Sequence, residues 1–142
     1  MRWLILLPLL VTGCGGSAPH ASPPTDETLQ REAHAGRLAF ELERDEEAVT
    51  QFRAALARAQ ERDDPAVIAD NGYNLTVAEL HGNAPDRALA DARATRMELE
   101  RRGAKPFPAL QLAEATALYR TGALNEADRV PKRLLGRRFC RA

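Results

Sequence analysis

Serine occurs at two positions, Ser17 and Ser22, cysteine at two, Cys14 and Cys140, and histidine at three, His20, His34 and His81. Each scarcity removes a class of chemistry. A nucleophile needs an adjacent base and an orienting partner, and both serines fall instead in a Gly- and Pro-rich stretch. Cys140 stands among Arg137, Arg138, Phe139 and Arg141; such cations lower a thiol's pKa, but no histidine follows it. The three histidines are scattered, none at helical spacing from another imidazole or thiolate, so no metal site can be built from them. His34 with Glu32, and His81 with Glu79, are two residues apart and therefore on different helix faces; all four read as solvated surface. Glycine-rich phosphate loops are absent. Aromatic residues are few, at 5%. The apolar run Trp3–Val11 is far shorter than the roughly 20 residues that span a bilayer. The chain reads as a non-enzyme without cofactor, metal or small-molecule substrate.

What is present begins at the N-terminus. Arg2, the short apolar run and the small residues Thr12-Gly13 form a secretory signal over residues 1–13. The stretch Leu10-Val11-Thr12-Gly13-Cys14 resembles the lipobox of bacterial lipoproteins. That resemblance implies that Cys14 is acylated and becomes the new N-terminus, carrying two or three chains. One chain alone anchors marginally, at about 0.8 kcal/mol per buried methylene. Gly15, rather than aspartate, follows the cysteine, and in a Gram-negative cell the resemblance then implies the periplasmic leaflet of the outer membrane. An ordinary secretory signal, with Cys14 there by chance, is the alternative. A retained transmembrane helix is opposed by Gly13, Gly15, Gly16 and Ser17. If Cys14 is acylated, Cys140 has no disulfide partner.

Residues 14–28 hold the cysteine and a stretch of Gly, Ser and Pro without apolar periodicity, which reads as a flexible tether. Extended at about 3.1 Å per residue, it reaches some 40 Å. From Leu29 onward alanine, leucine, arginine and glutamate dominate. These are strong helix formers, and nothing alternates with a strand's period of two. The expectation is an all-α domain over 29–130. Its punctuation predicts a first helix from Leu29 to Glu43 and a second capped by Asp45, with Ala48, Phe52, Ala55, Leu56 and Ala59 on its apolar face. A third starts at Asp64-Pro65, carries Ile68, Leu75 and Ala78, and breaks at His81-Gly82-Asn83. A fourth starts at Pro85, carries Ala88, Leu89, Ala92 and Leu99, and stops at Gly103. The fifth spans Pro108 to Arg120, and Asn125 caps a sixth.

Ala48, Ala88 and Ala127 recur about 40 residues apart. Twelve residues upstream of each is a small residue, Gly36, Thr76 or Ala115. Small side chains at both points let two paired helices cross closely. In this pattern the chain resembles the tetratricopeptide (TPR) family. The first unit matches best, with Gly36, Ala48, Phe52 and Ala55. The second keeps Leu75, Thr76 and Ala88 but has Ala92 for the aromatic residue, and the third has Pro131 there. The period exceeds the family's 34 residues. The resemblance implies about three helix-turn-helix pairs in a short right-handed solenoid; a generic helical bundle shares the same helices without the row. It also implies a concave groove lined by the first helix of each pair, with Arg37, Glu41, Asn71, Asn74 and Gln111 as candidate contacts for a protein partner in the periplasm.

The last residues differ in kind. From Arg129 on there are six basic residues and no acidic one, whereas 15–128 holds 13 basic against 20 acidic, so the formal neutrality of the chain hides a split. Pro131 sits about one turn into the sixth helix, where continuing would cost about 3 kcal/mol. The basic tail 131–142 is open to three readings: attachment to anionic lipid or envelope polymers, folding back on the acidic body, or a disrupted reading frame. Nucleic-acid binding is not expected, since no aromatic residues beyond Phe139 interleave the basic ones. The expected function is that of an outer-membrane lipoprotein presenting a helical surface to another protein. The alternative is a structural helical-bundle lipoprotein whose basic end contacts the envelope.

Overall fold

The computed structural model describes residues 26–130. Cys14, the signal, most of the tether and the basic tail from Pro131 lie outside the described residues. Within them the chain is all-helical: α1 (Glu27–Glu41), α2 (Asp45–Glu61), α3 (Pro65–His81), α4 (Pro85–Arg101), α5 (Pro108–Arg120) and the short α6 (Leu124–Ala127).

Prolines open three of these helices as the sequence predicts, because the first helical position needs no backbone donor. Asp64 caps α3, accepting from the amides of Ala66 at 3.1 Å and Val67 at 3.2 Å. Two expected caps are not caps. Asp45 is the first residue of α2 after Arg44, and its Oδ1 lies 2.7 Å from His81 Nδ1 on α3. Asn125 is inside α6, which follows Ala123. The start of α1 also moves. Asp26 accepts from the amides of Thr28 and Leu29 and so starts the helix at Glu27, ahead of the Leu29 boundary. The Leu29 amide, then the Arg58 guanidinium at 2.8 Å, hold the Asp26 carboxyl below the usual range. This second contact pins the first turn of α1 to α2.

All five inter-helix turns share one geometry. Positive φ occurs at Glu43, Asp63, Asn83, Gly103 and Gly122; the first four are spaced by 20 residues. At each, two backbone bonds close the helix end, as in Glu43 N→Phe40 O and Arg44 N→Ala39 O, or Gly103 N→Glu100 O and Ala104 N→Leu99 O. This is the Schellman pairing, which wants glycine at the left-handed position. Two turns have it. Glu43 adopts φ 57° without glycine's freedom, at about 1–2 kcal/mol for an L-residue. Glu43→Gly is therefore expected to stabilise the chain by about 1 kcal/mol, read as a higher urea midpoint with unchanged slope, and Gly103→Ala to do the reverse.

Helices α2, α3 and α4 are each 17 residues long, so helix plus turn repeats with little change. Each helix packs on its neighbours in the chain, and α3 also packs on α5; no comparable packing joins α1 to α4 or α5. The pairs thus lie in a row rather than around one centre. Alanine makes the close contacts: Ala48, Ala55, Ala59, Ala78, Ala88, Ala92 and Ala117 are wholly buried. A Cβ on Gly36 would meet the Phe52 ring at 2.8 Å, which accounts for the small residue and aromatic of the first pair. In the second pair the tightest approach is at Gly72 against Thr95, not at Thr76. Thr76 is buried and returns its hydroxyl to Gly72 O at 2.8 Å. The third pair contributes only α6 as its second helix among the described residues. Leu112 and Tyr119 of α5, at positions equivalent to Tyr73 and Leu80 of α3, are correspondingly exposed.

Ion pairs join α2 to α4, Glu46–Arg87 at 3.2 Å and Arg53–Asp91 at 2.8 Å, and the turns that follow them, Asp63–Arg102. Exposed pairs of this kind contribute about 0–1 kcal/mol each, so they set register more than stability.

Candidate functional site

A cleft of about 100 Å³ opens between α1, α2 and α3, lined by Arg37, Phe40, Glu41, Phe52, Asn74 and Val77. Helical spacing explains the lining. Arg37, Phe40 and Glu41 are three and four residues apart, so they share a face of α1, and Asn74 and Val77 do the same on α3. Phe52 is only 2% exposed and forms the apolar floor. Arg37 and Glu41 are exposed on the rim, and Asn74 Nδ2 lies 3.5 Å from Asp70 Oδ2. Sites that enclose drug-sized ligands run to roughly 300–1,000 Å³. This cleft fits one side chain of a polypeptide, between an apolar floor and a rim offering a cation, an anion and an amide.

Three of the five expected groove residues, Arg37, Glu41 and Asn74, thus meet at one place. The other two do not join them. Asn71 is 1% exposed and donates to Val67 O at 2.9 Å. It shares the buried face of Ile68 and Leu75, three and four residues away, so it cannot line a groove. Gln111 borders a separate cavity of about 210 Å³, with Leu99, Lys105, Phe107 and Leu110, where the 102–107 connection folds over the start of α5. Phe40 and Val77 were missed. Phe40 is at helical spacing from Arg37; Val77 lies in the mostly apolar run 75–80, where one more apolar residue does not stand out.

A second cluster lies at the junction of α2, α3 and α4. Glu79, expected at the surface beside His81, is instead fully buried. Arg53 from α2 reaches over it, with Nη2 at 2.8 Å from Glu79 Oε1 and 2.8 Å from Asp91 Oδ2 on α4. Burial, and then the adjacent Asp91 carboxylate, push the Glu79 pKa up to about 7 against the pull of Arg53 and Arg87. Glu79 Oε2 is buried without a hydrogen-bond partner. Glu114 of α5 is buried too, but it is matched by Arg96 at 2.9 Å and Arg93 at 3.6 Å. His81, half-exposed, sits edge-on to Phe40 with ring centroids 5.2 Å apart. That contact joins the end of α3 to the wall of the cleft.

No family model, curated protein or solved structure matches this chain. The site is therefore read from its own residues. Among the described residues, no group of three or more His, Cys, Asp or Glu is placed to hold a metal ion, and no helix is long and apolar enough to cross a membrane.

Proposed function

We propose that the chain is a non-catalytic lipoprotein, anchored through Cys14, that uses a TPR-like row of helix pairs to hold another protein in the bacterial envelope. The cleft formed by Arg37, Phe40, Glu41, Phe52, Asn74 and Val77 carries this reading. Its floor takes an apolar side chain of the partner. The exposed Arg37 and Glu41 side chains, and the carbonyl oxygen of the Asn74 amide, whose nitrogen lies 3.5 Å from Asp70, bond the partner's backbone and polar groups. The lipobox resemblance supports the address: an outer-membrane anchor with the helical domain held off the bilayer on residues 14–25.

A photo-crosslinking residue introduced at Arg37 or Asn74 in the native host is expected to give one discrete protein adduct at both positions. Thr50, exposed on α2, is the control and gives none. Adducts that are absent at both cleft positions, or equal at Thr50, would overturn the docking role. Labelled palmitate tests the anchor separately, with incorporation expected in the native chain and lost in Cys14→Ser.

A further inference from the structure

The cluster at the α2–α3–α4 junction has an unusual composition for the interior of a helical array. Two carboxylates, Glu79 and Asp91, share one guanidinium, Arg53, that is half-exposed while Glu79 is sealed from solvent. Burying a carboxylate is costly unless its charge is fully matched. Here one cation is divided between two anions, and Arg87 of α4, itself paired with Glu46, adds a smaller pull. One oxygen of Glu79, Oε2, meets no donor at all. A proton on Glu79 resolves both deficits. It removes the surplus negative charge, and it turns an acceptor without a donor into a donor, with the Asp91 carboxylate beside it as acceptor. Arg53 then remains paired with Asp91.

We infer that the junction between the first and second helix pairs is closed by a single proton held between Glu79 and Asp91, so that the row of helices is tightest in mildly acidic medium and loosens as the medium turns alkaline. The groups facing Glu79 are Arg53 from α2 and Asp91 and Arg87 from α4, and no other titrating partner is needed. Release of the proton leaves a buried anion whose escape route is outward, by separation of α3 from α2 and α4. Asn74 and Val77 lie on the same helix, five and two residues before Glu79. Movement of α3 at the junction therefore carries their side of the docking cleft with it.

The direction follows from linkage. A carboxyl held at about 7 when folded, against about 4.3 when unfolded, binds more protons in the folded chain. Its contribution is fully present below the unfolded value and is lost as pH rises through 7. The folded-to-unfolded ratio falls by up to about tenfold per pH unit across that window.

Carboxyl-carbon NMR of the full chain labelled at glutamate tests the inference directly. One glutamate is expected to titrate near neutrality, to vanish from the spectrum in Glu79→Gln, and to shift downward in Asp91→Asn, which removes the neighbouring anion but keeps the fold. Hydrogen exchange, corrected for its intrinsic pH dependence, should show α3 amides opening more often at pH 8 than at pH 6 in the native chain and equally at both in Glu79→Gln. Glutamates that all titrate in the ordinary carboxylate range overturn the inference. So does an α3 opening that follows pH identically with and without Glu79. If Glu79→Gln fails to fold, the Asp91→Asn shift alone decides.

Discussion

Phe52→Ala is expected to lower stability by about 3–5 kcal/mol, the range for removing a buried aromatic ring, and to leave the isolated chain close to unfolded at 37 °C. The ring is 2% exposed and lies where the first pair crosses. Its Cδ1 and Cε1 stand 2.8 Å from where a Cβ on Gly36 would be, so nothing else can fill the space it leaves without moving α1. The measurement is urea unfolding followed by far-ultraviolet circular dichroism. A double-mutant cycle sharpens it. Gly36→Ala alone should destabilise, because the enclosed ring has no room to retreat. In the Phe52→Ala background the same change should be neutral or favourable, since alanine is the better helix former by about 1 kcal/mol. Additive effects would mean that the two positions do not meet as described.

The second large effect is expected at the next pair. A Cβ on Gly72 would lie 2.3 Å from Thr95 Cγ2, 2.6 Å from its Oγ1 and 2.9 Å from its Cβ. The last of these is fixed to the α4 backbone, so a rotamer change cannot relieve it; α3 and α4 must separate. Overpacking of this kind costs about 1–3 kcal/mol and sometimes more, against a helix-propensity gain of about 1 kcal/mol. The net expectation for Gly72→Ala is a loss of up to about 2 kcal/mol. Combining it with Thr95→Gly moves the side chain to the other helix and should restore most of the loss. A bulkier residue at Gly72 should not be rescued.

Much of the framework was legible because it rests on local chemistry. Pro65, Pro85 and Pro108 mark helix starts by what proline lacks, and Ala48, Phe52, Ala55, Leu56 and Ala59 mark a buried face by spacing alone. Aspartate was harder. Asp64 and Asp45 stand at the starts of similar helices, yet only the first caps one; Asp45 is already inside α2 and meets His81 of α3 instead. The turns at Glu43 and Asp63 carry no glycine, so their left-handed geometry was invisible, although Gly103 and Gly122 occupy the same place. Glu79 was the least legible. A glutamate near a helix end, two residues from His81, reads as surface, and only the closure of Arg53 and Asp91 over it shows otherwise. In the cleft, Arg37, Glu41 and Asn74 were accessible to reasoning from register. Asn71 was not: it stands three and four residues from Ile68 and Leu75 and goes with them into the core.

The evenly spaced left-handed turns bear on how such a chain changes length. When every joint is the same and each helix packs mainly on its chain neighbours, a segment bounded by two equivalent joints, such as 64–103, is one whole helix pair. Copying it in tandem would present each old neighbour with a surface it already fits, while deleting it would rejoin two joints of equal shape. Growth or shrinkage by whole hairpins then lies within reach of a single recombination event, whereas an insertion of five or ten residues inside a helix would rotate everything downstream out of register.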